Sequence, residues 1–508
     1  MITGKNYIGN NLIGVGDKFH RTINAKLNIE NPSNFIEATS KELNQAISLA
    51  DKAFKIYKNI AGKERASFLN SISDEIMALG NELIEMFTLE SGLPEARAIG
   101  EISRTVSQLQ AFAKMIETED WKKNIIEMGI HDRKPFPKPD LRKTYIPIGP
   151  VVVFAASNFP LAFSTAGGDT ASALASGCPV IVKSHSMHSG TGELVASAII
   201  KSVKKIGMPN GVFSNINGRG MSVGQALVKH PKIKAVGFTG SLSGGKALYN
   251  IGSQREEPIP VFAEMGSVNP VVISSKSIVS RCEEIANNIS ESIMLGTGQF
   301  CTNPGLLIVI DNEKTISFIK SLADKMIKKG SQCMLHPNIK KNYLTNSEII
   351  SNQEGVTIRG KIKGKFDANF VSSQLNTVSG KDFLSNSILH KEVFGPFSLV
   401  VKCKDEAELI KVINSLEGQL TGTLFAEKEE LKGLEEIIEV FKCKVGRIIF
   451  NGVPTGVEVS EAMTHGGPYP ASSDSRFTSV GLDAIKRWVR PFTYQDWPTD
   501  FLPSGLRL

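Results

Sequence analysis

Between Val151 and Gly266 five short apolar runs alternate with four helical stretches. The runs are "VVVFAAS" (151–157), "PVIVKS" (179–184), "GVFSNIN" (211–217), "IKAVGFTG" (233–240) and "PIPVFAEMG" (258–266). Between them lie "TAGGDTASALASG", "GTGELVASAIIKSVKKIG", "MSVGQALVKH" and "SGGKALYNIG". Runs this short and this rich in β-branched residues read as buried strands, and the longer stretches read as helices. Strands that alternate with helices must lie parallel, with the helices covering the faces of the sheet. That is an α/β architecture of the nucleotide-binding kind.

The rest of the chain is built around this block. The first 120 residues are mainly helical by pattern, as in "SKELNQAISLADKAFKIYKNI" and "RASFLNSISDEIMALGNELIEMFTLES". The Pro-broken stretch "HDRKPFPKPDLRKTYIPIGP" (131–150) reads as exposed strands or an arm leaving the body. A second α/β block runs from about Ser267 to about Ser460, and "AIKRWVRPFTYQDWP" reads as a strand or arm that docks elsewhere.

Composition excludes several function classes. A chain of 508 residues, 41% hydrophobic and 21% charged, buries a sizeable core. The net charge of +7 is mild and spread out, which argues against a dedicated nucleic-acid groove. No run reaches the roughly 18 apolar residues of a membrane span, and "MITGKNYIGN" carries no apolar export signal. Cys178, Cys282, Cys301, Cys333, Cys403 and Cys443 form no C-x-x-C pair and no zinc or disulfide spacing. A cytoplasmic protein without a structural metal is expected.

Two features suggest chemistry. In "GQFCTNPG" (298–305), Cys301 sits among small and polar residues, as a buried filler, a disulfide half, a metal ligand or a nucleophile. The dinucleotide fingerprint G-x-G-x-x-G is missing, since Asn158-Phe159-Pro160 follows the first run. The Gly-rich turn comes instead at "FTGSLSGG" (238–245). There the glycines let a pyrophosphate approach a helix N-terminus, or simply make a tight turn.

Taken in order, "PIGPVVVFAASNFPLAF", "PVIVKS", "FTGSLSGG", "AEMGSVNP", "GQFCTNPG" and "EVFGPF" resemble the aldehyde dehydrogenase superfamily over nearly the whole chain. "THGGPYPASSDSRFTSVG" (464–481) resembles a narrower branch. That branch holds NADP-using 2-oxoglutarate semialdehyde (2,5-dioxopentanoate) dehydrogenases and the fatty aldehyde dehydrogenases of luminous bacteria. The resemblance implies a Rossmann-like cofactor domain (1–120 and 147–265), a catalytic α/β domain (266–460) and an oligomerisation arm (121–146 and 486–508). It also implies a homodimer or homotetramer. NADP is the expected cofactor, with NAD accepted, and a small aldehyde the expected substrate.

Residue by residue, Cys301 matches the family's nucleophile and Glu264 its general base. A carboxylate facing an apolar cleft is expected to have its pKa raised toward neutrality. Asn158 matches the side-chain donor of the oxyanion hole. Lys183 is expected at the adenosine ribose and Gly240, Ser241 and Gly245 around the pyrophosphate. Glu392 is expected at the nicotinamide ribose and Phe394 beside the ring. Ser186 stands where NAD-preferring relatives often carry a Glu that would repel a 2′-phosphate, and Arg219 is placed to attract one. His465 either tunes Cys301 or props the Gly-rich loop. Arg104 is the candidate anchor for a substrate carboxylate, or else a surface or interface Arg. Phe159, Phe163 and Phe300 would line the apolar tunnel a fatty aldehyde wants. The motif E-x-G-G-K is broken here by Ser267 and Val268. A coenzyme A-acylating enzyme and a non-catalytic scaffold are the rival readings; Glu264 argues against the first, and Cys301, Glu264 and Asn158 together argue against the second.

Overall fold

In the computed structural model, which describes residues 2–507, the five runs become the strands Val151–Phe154, Val180–Lys183, Phe213–Ile216, Ala235–Thr239 and Val261–Glu264. All five lie parallel. Their order places Val151–Phe154 centrally, with the second and third strands on one side and the fourth and fifth on the other. The chain thus reverses direction across the sheet between Val151–Phe154 and Ala235–Thr239. Such a switch point opens a crevice at the carboxyl ends of the strands. The central strand is apolar throughout because helices cover both faces; Val151 and Val152 are fully buried.

The helical stretches form Gly168–Ser176, Ser189–Ile206, Ser222–Lys229 and Leu242–Ser253. Ahead of them the N-terminal part packs as the helices Ser40–Tyr57, Gly62–Met77, Gly80–Ser91 and Glu95–Glu117. The first starts with a capping box, Thr39 and Glu42 satisfying each other's backbone N–H groups. Before Ser40 the chain is not helical. Asn6–Ile8 pairs antiparallel with Phe213–Ile216 and hairpins back as Asn11–Ile13, extending the sheet to seven strands.

A second seven-stranded sheet follows, in the order Thr357–Lys361, Gln374–Ser379, Phe397–Cys403, Leu306–Ile310, Val271–Ile273, Gln419–Phe425, Val445–Phe450. Only its first strand is antiparallel. The Pro-broken segment contributes Ile125–Glu127 and Leu141–Pro147, and Val489–Gln495 from the tail pairs with the latter over seven positions. Trp488 anchors that tail, its buried indole N–H donating to Ser172 Oγ at 2.7 Å. Among the described residues, no helix is long and apolar enough to cross a membrane.

Candidate active site

The site forms where the two sheets meet. Glu264 ends the last strand of the first sheet, and after a short linker Val271 begins a strand of the second. Two close approaches fix this seam. A Cβ on Gly266 would lie 2.4 Å from Glu392 Oε2, and one on Gly298 would lie 2.3 Å from the Gly395 carbonyl. At 298, where the neighbour is backbone and φ is +64°, only glycine fits; at 266 a Cβ would displace the Glu392 carboxylate.

The C-terminal loop closes the site from the other side. Residues 471–473 run antiparallel beside Val261–Glu264, with Met265 N–H donating to Ala471 O and Ser473 N–H to Ala263 O. This lays the 464–481 segment along the edge of the first sheet. His465 Nε2 comes to lie 3.0 Å from Glu264 Oε1 and 3.5 Å from Cys301 Sγ. Glu264 and His465 are almost fully buried, and Cys301 is half-buried. Ser479 Oγ donates to Glu264 Oε2, and the His465 backbone is held by Thr478 Oγ1 and Ser479 N–H. Thiol, imidazole and carboxylate therefore converge, all within 4.8 Å of one another.

The electrostatics correct one expectation. Burial does push Glu264 up, but His465, Ser479 and Cys301 outweigh it and hold the carboxyl below the usual carboxylate range. Glu264 rests ionised. Burial, the Glu264 charge and the Glu392 charge push the Cys301 thiol well up, with Arg104 opposing, so it rests protonated. His465 Nε2, 3.5 Å from the thiol and 3.0 Å from the carboxylate, is placed to exchange a proton with either.

The Cys301 loop is pinned from below. Asn269, fully buried, donates from Nδ2 to Cys301 O at 2.8 Å and to Asn303 O at 2.9 Å. Thr421 Oγ1 donates in turn to Asn269 Oδ1 at 2.9 Å. Ser267, where the motif is broken, accepts from Leu420 N–H and lies 2.9 Å from Gln419 Oε1, which also takes Val268 N–H. Asn269, Ser479 and Arg447 (below) were not singled out from sequence. The one available signal was the short polar type at Asn269, which tolerates its positive φ of 48°.

A cleft of about 290 Å³ opens over Cys301 and is lined by Asn158, Gly240, Ser241, Glu264, Glu392 and Phe394 among others. Asn158 donates to Gln299 O at 3.0 Å. An amide nitrogen carries a second hydrogen, which is what remains for a substrate oxygen. Ser241 caps helix Leu242–Ser253, accepting Gly244 N–H, so an N-terminus with its partial positive charge faces the crevice. Gly245 does not line the cleft. It lets the helix approach the sheet, since a Cβ there would lie 2.6 Å from Met265 and 3.2 Å from Ala263. Glu392 is pushed up to about 7 by burial, eased by the Ser267 N–H. Lys183, ending its strand, is pulled down to about 8 by burial. Ser186 is half-buried and Arg219 exposed. The charges of Lys183 and Arg219 both add to the burial that lowers His20 to about 4, which puts the two near the same imidazole. These residues suit a dinucleotide: a helix N-terminus for phosphate, carboxylate and ammonium for ribose, and glycine where the backbone must come close.

On the far side of Cys301 lies an aromatic cluster. Phe159 packs edge-on against Phe163 and Phe300 at 5.0 and 5.1 Å. Arg97 is wedged between Phe159 and Phe300 at 4.4 and 4.7 Å and is paired with Glu101 at 2.8 Å. Glu101 also takes Leu161 N–H and Ala162 N–H, holding the loop that carries Asn158 and Phe159. Arg104 lies over Phe163 at 5.4 Å, and its Nε and Nη2 are buried without a partner.

Comparison with known proteins agrees with this geometry. Residues 18–479 match the family model described as "Aldehyde dehydrogenase family". The chain belongs to the aldehyde dehydrogenase family. Among aldehyde dehydrogenases it is 46% identical, over 92% of this chain and 90% of the other, to the alpha-ketoglutaric semialdehyde dehydrogenase 2 of Azospirillum brasilense. It is 42% identical, over 99% and 96%, to the alpha-ketoglutaric semialdehyde dehydrogenase of Acinetobacter baylyi. Solved aldehyde dehydrogenases share the fold. A Thermus 1-pyrroline-5-carboxylate dehydrogenase with bound NAD has a TM-score of 0.80 at 22% identity, covering 97% of this chain and 92% of that one. A Staphylococcus aureus betaine aldehyde dehydrogenase has 0.83 at 19%, covering 97% and 96%. The chain is thus an oxidoreductase acting on aldehydes, of a family that uses NAD or NADP.

Proposed function

We propose that this aldehyde dehydrogenase oxidises 2-oxoglutarate semialdehyde (2,5-dioxopentanoate) to 2-oxoglutarate, with NADP preferred and NAD accepted. The observation that carries the substrate is Arg104, a buried cation with two unpartnered nitrogens on the aldehyde side of Cys301. A fatty aldehyde offers it no anion, and Arg97 and Arg104 already cover the aromatic rings. Both relatives above are named for the same semialdehyde.

Cys301 gives its proton to His465 Nε2, and the thiolate adds to the aldehyde carbon. Asn158 Nδ2 and the Cys301 N–H stabilise the resulting oxyanion, each donor contributing about 3 kcal/mol. The bound dinucleotide supplies the hydride acceptor, and loss of hydride from the adduct carbon leaves a thioester. Glu264 then takes a proton from water, the hydroxide adds to the acyl carbon, and the C–S bond breaks to free the acid and Cys301. Lys183, Ser186 and Arg219 hold the adenosine end, Ser241 and Gly240 the pyrophosphate, and Glu392 and Phe394 the nicotinamide end. Ser186 and Arg219 support the preference for a 2′-phosphate.

The two sheets and the small third one support the division into a cofactor domain (1–120, 147–265), a catalytic domain (266–460) and an arm (121–146, 486–508). Ile125, Met128, Ile130 and Phe136 are exposed on that arm, which supports a homodimer or homotetramer; a monomer by light scattering at micromolar concentration overturns it. Six free cysteines suit a reducing, cytoplasmic setting. The deciding experiment is kcat/KM for a panel of aldehydes with both cofactors. The reading fails if the oxo-acid semialdehyde is not preferred over neutral aldehydes of equal length.

A further inference from the structure

Arg447 lies on Val445–Phe450, directly beside Thr421 of the neighbouring strand. Paired residues of adjacent strands sit about 4.8 Å apart and present their side chains on one face. Thr421 bonds Asn269, and Asn269 bonds the Cys301 carbonyl. Arg447 therefore stands on the face of the second sheet that carries the nucleophile. Its Nη2 donates to Pro454 O at 3.1 Å, Nη1 and Nη2 both reach Gly456 O at 3.5 Å, and Nη1 approaches Met463 Sδ at 3.8 Å, two residues before His465. Its Nε is buried without a partner.

The arginines near the site differ in their ion pairing. Arg97 is neutralised by Glu101. Among the described residues no carboxylate forms an ion pair with Arg104 or Arg447, although both are partly buried. Cys301 acts electrostatically on each of them. Arg104 feels the charges of Glu101 and Glu458, but neither it nor Arg447 has a carboxylate in contact, a contact that an anionic substrate would supply. A 2-oxo acid presents three acceptor oxygens, two on the carboxylate and one on the ketone, more than one guanidinium fork satisfies. Extended, its five carbons span roughly 5 Å, so the acid end stays close to the site.

We infer that Arg447 is a second specificity-determining residue, which together with Arg104 clamps the 2-oxo-acid end of the substrate. The inference rests on the substrate reading above. The test compares kcat/KM for 2-oxoglutarate semialdehyde and for pentanal in the parent, Arg447→Gln and Arg447→Lys. Gln keeps N–H donors for the Pro454 carbonyl and removes the charge. It should lower kcat/KM for the oxo acid by roughly 10- to 100-fold, mainly through KM, and leave pentanal within about threefold. Lys should recover part of the loss. If Arg447→Gln lowers both substrates alike, Arg447 only props the 454–463 segment and the inference falls while the substrate reading stands. If the parent itself fails to prefer the oxo acid over pentanal, both fall.

Discussion

Replacing Asn269 by Ala tests whether the nucleophile is held by the linker between the sheets. Ala removes the two N–H donors to the carbonyls of Cys301 and Asn303 and the acceptor used by Thr421. A buried polar group stripped of its partner costs about 1–3 kcal/mol; the Cys301 carbonyl is left bare, while the Asn303 carbonyl keeps Gly305 N–H and loses about 1 kcal/mol, together about 2–3 kcal/mol at the low end. Ala must also hold the φ of 48°, at about 1 kcal/mol more. The sum, about 3–4 kcal/mol, should lower Tm by roughly 10 °C in a domain of this size. Releasing the Cys301 carbonyl also lets the thiol drift, and a displacement of about 1 Å costs on the order of 100-fold in kcat. The assay is thermal denaturation alongside steady-state kinetics. Asn269→Gly removes the strain and not the lost bonds, so it should recover at most about 1 kcal/mol. A Tm within about 2 °C of the parent and kcat within about twofold would show that the loop is held by other contacts.

Glu264→Gln should produce a burst of reduced cofactor followed by a steady state slower by roughly 10²- to 10⁴-fold, read by stopped flow; equal loss of both phases would place Glu264 in thiol activation instead. The same change removes a charge that pushes Cys301 up, so iodoacetamide should alkylate the thiol faster at neutral pH. Glu392, pushed up to about 7, is ionised above that pH, and ribose hydroxyls donate best to the ionised form. Cofactor affinity should therefore be full above pH 7 and weaken by up to about tenfold per unit below it, and fluorescence titration of Glu392→Gln should lose this dependence. Ser186→Glu should shift relative kcat/KM from NADP toward NAD by roughly ten- to a hundredfold; an unmoved ratio would mean that position 186 does not face the ribose.

The parallel sheet was legible because each of its signals is local. "VVVFAAS" or "PVIVKS" is long enough to be a strand and too short to be a helix, and the stretches between them can only cross over. Cys301, Glu264 and Glu392 were legible from motifs carried by a few adjacent residues. What escaped depends on contacts far apart in the chain. Asn6–Ile8 pairs with a strand some two hundred residues later, and nothing in "NYI" announces it. Glu264 was expected to have its pKa raised toward neutrality. The groups that reverse this, His465 and Ser479, return to it from the far end of the sequence. Gly245 reads as a phosphate-loop glycine from its neighbours, whereas its role is decided by the bulk of Met265 behind it.

The linker from Glu264 to Asn269 also sets which substitutions this chain can accumulate. A side chain at position 266 would push the Glu392 carboxylate aside, so the glycine there holds that group in place. Position 269 admits only a residue that is at ease with a positive φ and carries both donor and acceptor, a requirement Asn meets. Positions 267 and 268 are anchored through a serine hydroxyl and a backbone N–H, both reaching Gln419. A change at 267 is therefore tied to 419, and the two should drift as a pair, while 268 contributes only its N–H and an apolar side chain. The two residues that break the E-x-G-G-K motif thus join the sheets through Gln419.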